Sequence, residues 1–577
     1  MSITMSMAPH LRSARHATRH RRNTARFSGR AAAAGAFLVA SLALSACSSS
    51  SSSSETTTAA SASASSSKGC QPPSNWRSTT ATAVAGSAYA YQLTSFDGTS
   101  IRINWFPKNP GGQGAPAPTV LMGPGWGQLG DTDVTGAGIQ GVLSIGQLQQ
   151  GGFNVVTWDP RGFGASGGLA EVDSPAYEAR DVTSMINWVA RQKGVALVKP
   201  GDPRIGMVGE SYGGGIQFVT AAIDCRVDAI APTIAWNSLV TSLDKNQTPK
   251  AGWDGILSGV STSAHLAPEI LAGDADIKAD RQVGAATDAY FRQRGPAQLL
   301  SRVRIPTLIL QGTVDNLFTL DEGIANYETL KAQGNTVAMA WFCGGHGVCL
   351  TNPGTALDIS QLSLAWMQHY VAGQTSVPVL TGFAYVDQNG TTYYAPTYPL
   401  TAGAPFVATG TGTLHLEATG GSGPPTVKPN ALAANAVDSV AYGITPAPAT
   451  NAVNITIPLN RQAFVVGPPR LAITYSGTTP SADRPTRVFA QLVDPATGIV
   501  VNNQITPVPV VLDGTVHTLS LPLETISYTS HPGQSLELQL VATTVAYEVP
   551  QLGGSVNFRT IRISLPTVTN MTTTPAG

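Results

Sequence analysis

Charge is scarce in this chain: 34 basic residues cancel 34 acidic ones, and charged residues make up only 12% of the 577 positions. That balance excludes a nucleic-acid surface or a polyanionic substrate as the main partner, because either needs a basic excess. Internal repeats are absent, which excludes a solenoid or a propeller. Beyond the first fifty residues no segment is long and apolar enough to cross a bilayer as a helix. What is present is length, enough for two to four domains and a large core.

The one apolar run lies near the start. The first thirty residues are rich in Arg and His and hold no acid, and AAAAGAFLVASLAL and Leu44-Ser45-Ala46-Cys47 follow. This is the layout of an export signal over residues 1–46. Its end resembles the lipobox of bacterial lipoproteins, which implies cleavage before Cys47 and lipidation there. One acyl chain holds a protein only marginally, so two or three would anchor it. An ordinary signal peptide cut nearby is the alternative. The Ser, Ala and Thr of residues 47–68 are too polar to pack a core and form a tether. The expected location is the outer face of the bacterial cell membrane, or the medium. With Cys47 set aside, Cys70, Cys225, Cys343 and Cys349 allow three pairings. Nearness in sequence favours Cys343 with Cys349, which leaves Cys70 with Cys225.

From Tyr89 to about Gly373 apolar strands alternate with helical stretches, the pattern of an α/β fold with a mostly parallel sheet covered on both faces. Residues 69–374 are expected to form this α/β domain. Asp97-Gly98 supplies the turn of a first hairpin. A helix is predicted after Ser174 as cap and Pro175 as first residue, with Val182, Met185, Ile186 and Val189 as its apolar stripe. A second is predicted from Thr319, with Glu322 completing a capping box, to Gly334. A third spans residues 355–372. Residues 238–300 break the rhythm and are expected to form a cap over the site. Beyond Pro378, alternating apolar positions such as Ile455, Ile457 and Leu459, or Leu536, Leu538 and Leu540, predict an all-β jelly-roll sandwich over residues 378–566, with 567–577 as a tail.

The chemistry centres on RIGMVGESYGGG, residues 204–215, a buried strand that enters a sharp turn at Gly209-x-Ser211-x-Gly213. A serine at such an apex is exposed for attack, and the flanking glycines let the neighbouring backbone approach. A nucleophilic serine needs a base and a carboxylate, in the chain order Ser, Asp or Glu, His for this fold. Of nine histidines, His10, His16 and His20 lie in the signal, and His415, His517 and His531 in the sandwich. His265 lies in the cap and His369 inside a helix. His346, in the glycine-rich loop FCGGHGVC after a late core strand, is left as the base. Asp315, at the end of the strand after the cap, is the carboxylate, with Asp321 as fallback. Backbone N–H groups of Tyr212 and of Trp126 or Gly127 are placed to stabilise an oxyanion. Cys343, His346 and Cys349 could instead ligate zinc, but no fourth ligand is evident and a disulfide suits an oxidising compartment better. Asp159 and Arg161, in DPRGFGASGG, are expected to make local hydrogen bonds only.

Together WDPRGFGASGG, GMVGESYGG, IPTLILQGTVDNLF, LVDPATGIVVNN and HPGQSLELQL resemble the α/β-hydrolases of the X-prolyl dipeptidyl peptidase (peptidase family S15) and CocE/NonD group, over most of residues 89–565. The resemblance implies a triad of Ser211, Asp315 and His346, an acyl-enzyme, and no metal or cofactor. It also implies a peptide or ester substrate. The cysteines around His346 and the short cap depart from the family pattern. A dipeptidase needs an acid for the substrate amine, and Asp254, Glu269, Asp274 and Asp276 all remain open. A carboxylesterase or lipase without peptidase activity is one alternative. A non-catalytic surface protein that binds through its jelly roll is another. Nothing in the residues indicates an oligomeric state.

Overall fold

The computed structural model describes residues 70–136, 143–260, 263–351, 357–426, 441–480, 486–548 and 551–575. The signal, Cys47 and the tether lie outside them. The described residues build an eleven-stranded sheet and, C-terminal to it, a β-sandwich.

In chain order the sheet strands are β1 (Ala81–Ala83), β2 (Ala90–Thr94), β3 (Ser100–Phe106), β4 (Thr119–Gly123), β5 (Asn154–Trp158), β6 (Ile205–Glu210), β7 (Val227–Thr233), β8 (Thr307–Gly312), β9 (Val337–Phe342), β10 (Phe383–Val386) and β11 (Thr392–Ala395). In space they run β1-β2-β3-β5-β4-β6-β7-β8-β9-β10-β11. From β5 to β10 neighbours are parallel. The hairpin at Asp97-Gly98 forms between β2 and β3 as expected.

Alternation along each strand sorts side chains onto two faces. Leu121, Val156, Met207, Ile230 and Ile309 pack under α2 (Glu178–Val189), α3 (Tyr212–Ile223) and α8 (Leu320–Ala332). Val120, Val155, Val208, Ala231, Leu308 and Leu310 pack under α1 (Ile145–Gln150) and α9 (Ile359–Tyr370). Both faces are covered, so the central strands read as nearly continuous apolar runs. Between β7 and β8 the cap carries α4 (Leu239–Leu243), α5 (Ala251–Gly259), α6 (Pro268–Asp280) and α7 (Ala285–Arg292).

The sandwich strands are β12 (Phe406–His415), β13 (Ala452–Leu459), β14 (Ala463–Gly467), β15 (Arg470–Thr478), β16 (Thr486–Asp494), β17 (Ile499–Val510), β18 (His517–Pro522), β19 (Ile526–Ser530), β20 (Gln534–Val541) and β21 (Ser555–Leu565). Two four-stranded antiparallel sheets, β12-β21-β15-β18 and β13-β20-β16-β17, face each other. This interleaved order is a jelly roll. Ile455, Ile457, Leu459, Leu536, Leu538 and Leu540 fill its core.

Several local expectations are corrected. Helix α2 begins at Glu178, not after Ser174. Ser174 instead closes a turn by accepting Ala176 N, and the Glu178 carboxylate accepts Ser174 N. Thr319 and Glu322 form no capping box. Thr319 Oγ1 donates to Glu524 of the sandwich, while Glu322 accepts Asn237 N, Ser238 N and Thr241 Oγ1. Tertiary partners outcompete the local pair. Helix α9 starts at Ile359, where Asp358 accepts Ser360 N and Gln361 N. Residues 383–395 are not part of the sandwich: β10 lies parallel to β9, with Phe383 opposite Met339, and β11 closes that edge. Thr572, in the expected tail, pairs with Tyr394 of that edge strand.

Cys70 and Cys225 are bonded, as are Cys343 and Cys349. The first bond ties the incoming chain to the end of α3 across 155 residues. Loop-closure entropy for so long a loop amounts to about 5 kcal/mol as an upper value. Replacing both Cys70 and Cys225 by Ser is therefore expected to lower the thermal midpoint clearly. A midpoint unchanged from wild type would remove the role assigned to this bond.

Candidate active site

Ser211 sits between β6 and α3 with φ 54° and ψ −113°, a strained apex that thrusts its hydroxyl out of the turn. The turn is held by Ser211 N donating to Thr233 O and by Gly214 N and Gly215 N donating to Ser211 O, each at 2.9 Å. Gly213 is required sterically: a Cβ there would lie 2.1 Å from Gly123 O.

Two further loops converge on it. Asp315 follows β8 and is fully buried; its Oδ1 accepts Leu317 N at 3.0 Å and Phe318 N at 2.8 Å. Its Oδ2 lies 2.7 Å from His346 Nδ1, and His346 Nε2 lies 2.8 Å from Ser211 Oγ. A carboxylate can only accept, so the network assigns Nδ1–H as donor and leaves Nε2 to accept from the serine hydroxyl. Chemically, this arrangement can remove the proton of Ser211 as it attacks a carbonyl and hold the imidazolium that forms.

The imidazole is clamped by edge contacts with Trp253 of α5 and Phe318, at ring separations of 5.7 and 5.0 Å. The glycine loop lets the two turns meet: a Cβ on Gly347 would fall 1.7 Å from Val314 O. With both sulfurs of Cys343 and Cys349 in one disulfide, the zinc reading loses its thiolates. Asp321 does not approach His346; it pairs with Lys245 at 3.3 Å.

A pocket opens beside Ser211, bordered by Trp126, Tyr212, Trp236, Leu257, Leu317 and Phe318. Tyr212 opens α3, so its N–H has no acceptor within the helix. The Trp126 indole donates to Leu257 O at 3.0 Å and meets Tyr212 edge-on at 5.1 Å. The wall is apolar apart from a few groups, and these include Lys250, Asp254 and Asp274. Lys250 Nζ donates to Leu317 O at 2.7 Å, and burial pushes its pKa down to about 8. Burial and a hydrogen bond with Asp274 push Asp254 up to about 6, while Lys278, 2.7 Å away, helps hold Asp274 below the usual carboxylate value. Of the four acids left open by sequence, these two face the pocket. Glu269 is exposed and Asp276 borders Gly284.

Behind the site, Tyr212 OH donates to Glu178 at 3.2 Å, and burial raises that carboxyl to about 7. Burial likewise raises Glu210, next to the nucleophile, to about 8. Arg161 pairs with Asp181 and Asp97, and Asp159 accepts Gly130 N and Ala165 N, the local roles expected of DPRGFGASGG. His265 is exposed, and His369 Nδ1 lies 2.8 Å from Val377 O, away from the site. Lys250 and Trp253 were not singled out for function from sequence. Neither belongs to a motif, and only the folded cap brings them to the pocket.

Known proteins bear out the fold and the class of chemistry. Residues 97–347 match the family model of X-Pro dipeptidyl-peptidase (S15 family). An uncharacterized 31.7 kDa protein of the traX-finO intergenic region of Escherichia coli is 27% identical over 205 residues, covering 32% of this chain and 70% of that one. A CocE/NonD family hydrolase from Staphylococcus aureus superposes with a TM-score of 0.57 at 14% identity, over 83% of this chain and 94% of the other. An α-amino acid ester hydrolase superposes with a TM-score of 0.60 at 13% identity, over 88% of this chain and 100% of the other. At such identities the superpositions speak for the fold, sandwich included, and the family match speaks for the catalytic domain. The chain is a hydrolase with the α/β fold of the S15 and CocE/NonD group.

Proposed function

We propose that this chain is an exported serine hydrolase that cleaves an ester or amide bond by acyl transfer to Ser211. The observation that carries the reading is the relay Asp315–His346–Ser211, with its contacts of 2.7 and 2.8 Å, at the mouth of an apolar pocket. His346 Nε2 takes the Ser211 proton as Oγ bonds to the carbonyl carbon, and gives it to the departing alcohol or amine. Water then attacks the acyl-enzyme with His346 again as base, releasing the acid and the free serine. Backbone N–H groups of Tyr212 and of Trp126 or Gly127 are assigned to the oxyanion; one such donor contributes about 100- to 1000-fold in turnover. A fluorophosphonate probe is expected to label wild type and not Ser211→Ala. Equal labelling of both would remove Ser211 from the mechanism.

The aromatic and aliphatic wall favours a bulky apolar acyl group. The pair Asp254 and Asp274 favours a free amine on it, as an α-amino acyl ester or an Xaa-Pro dipeptide carries. With Asp254 titrating at about 6, the second negative charge is present above that pH and lost below it. KM for a substrate with a free α-amine is therefore expected to fall as pH rises through about 6, while KM for its N-acetylated analogue stays level. Asp274→Asn should abolish the difference; identical pH profiles for both substrates would rule out the pair as an amine site.

Export to an oxidising compartment is supported by two disulfides in a chain of only five cysteines. Attachment to the membrane through Cys47 is the corresponding proposal. Wild type expressed in a bacterium with a lipoprotein pathway should partition into the detergent phase of a Triton X-114 extract, and Cys47→Ser into the aqueous phase. Aqueous partition of both would show that no anchor forms.

A further inference from the structure

Strand β17 pairs with β16, but the ladder breaks in its middle. Gln491 faces Ile505 and Val493 faces Val500, so Leu492 alone is opposed by an excursion over residues 501–504. At its crest Asn502 and Asn503 are both left-handed, with φ of 53° and 54°. Asparagine tolerates that conformation better than most residues, yet two in succession store strain that the surroundings must hold. Bulges of this kind re-aim side chains out of a sheet.

Here they aim at the hydrolase domain. Asn503, 1% exposed, donates Nδ2 to Val348 O at 2.8 Å, two residues beyond His346. Gln504, 5% exposed, donates Nε2 to Asp315 O at 2.9 Å and to Asn502 O at 3.0 Å. Asn502 Oδ1 accepts Ser527 N at 2.8 Å, which fastens the excursion to β19. Consecutive residues of the sandwich thus reach the backbone of both loops that carry the histidine and its carboxylate. Neither carbonyl belongs to a strand, and both face buried donors, so the amides fix the peptide planes on which the two side chains are mounted.

We infer that Asn503 and Gln504 are positioning residues for the hydrolytic site, holding the His346 and Asp315 loops in register from the jelly roll. The inference rests on the Ser211–His346–Asp315 mechanism proposed above. A misplacement of about 1 Å in such a site costs on the order of 100-fold in rate, so the two amides act on turnover without touching substrate.

The test uses the full chain with two variants that spare the backbone. Gln504→Met keeps the length of the side chain and removes its donor, and Asn503→Gly keeps the left-handed conformation and removes the amide. Turnover of an activated ester is measured together with KM and the thermal midpoint. Each variant is expected to lower kcat by about 10- to 100-fold with KM within roughly twofold of wild type. In an Asp315→Asn background, Gln504→Met is expected to cost less than about threefold more, because its effect passes through the aspartate. Wild-type kcat in both variants, or an equal cost of Gln504→Met in both backgrounds, would overturn the inference. So would a rise in KM that follows the loss of thermal stability. Wild-type turnover that survives Ser211→Ala would instead overturn the parent mechanism, and this inference with it.

Discussion

Everything at the site depends on two turns that follow neighbouring parallel strands and pack without a gap. The loops after β8 and β9 meet where Gly347 lies against Val314 O, a contact that leaves no room for a side-chain carbon. Only that approach brings His346 Nδ1 within 2.7 Å of Asp315, and only with the imidazole held there can Nε2 reach Ser211. Because β8 and β9 pair in parallel from Thr307 opposite Val337 to Gly312 opposite Phe342, both loops leave the sheet at the same end. Ser211 leaves β6 at that end too, so the sheet does the coarse placement and the glycines permit the fine one.

The acid loop is then gripped from outside the sheet. Lys250 holds Leu317 O, and Trp253 donates to Asn316 Oδ1 at 2.9 Å while its ring meets His346. Those residues come from the cap, so the element that walls the apolar pocket beside Ser211 also braces the carboxylate. A change of cap sequence that displaced Lys250 or Trp253 would therefore also disturb the placement of Asp315 and His346.

How much of this was legible in the sequence follows from the range of the forces involved. That Ser211, Asp315 and His346 would meet was legible because strand-turn chemistry is local and the order of the three along the chain follows from the fold. Covered strands, the alternation of the sandwich and the Cys343–Cys349 bond were legible for the same reason, whereas Cys70–Cys225, 155 residues apart, followed only by elimination. Residues 383–395 were not, because a short strand with period two reads alike in a sandwich and at the edge of a mixed sheet. Thr319 and Glu322 match a capping box, but the partner that takes Thr319 lies 205 residues away. Asp254 and Asp274 could not be separated from Glu269 and Asp276. Helix α6, PEILAGDADIKAD, mixes apolar and acidic positions around its circumference, and only packing decides which acids face inward.

The seam between the two domains carries charge as well as shape. Glu524 of the sandwich is buried and lies 3.2 Å from Lys245, which also pairs with Asp321 at the start of α8. Burial and the nearby Glu524 carboxylate push Asp321 up to about 7, while Lys245 and Lys250 help hold Glu524 down. A buried ion pair of this kind adds little net stability against an apolar seam, since desolvation consumes most of the attraction. Its effect is on register. Sliding the sandwich by one residue would leave the buried Glu524 without its lysine, at a penalty of several kcal/mol. The jelly roll is thereby held where β17 can reach the loops after β8 and β9, and a charge that contributes little to folding constrains how the Ser211–His346–Asp315 cluster is assembled.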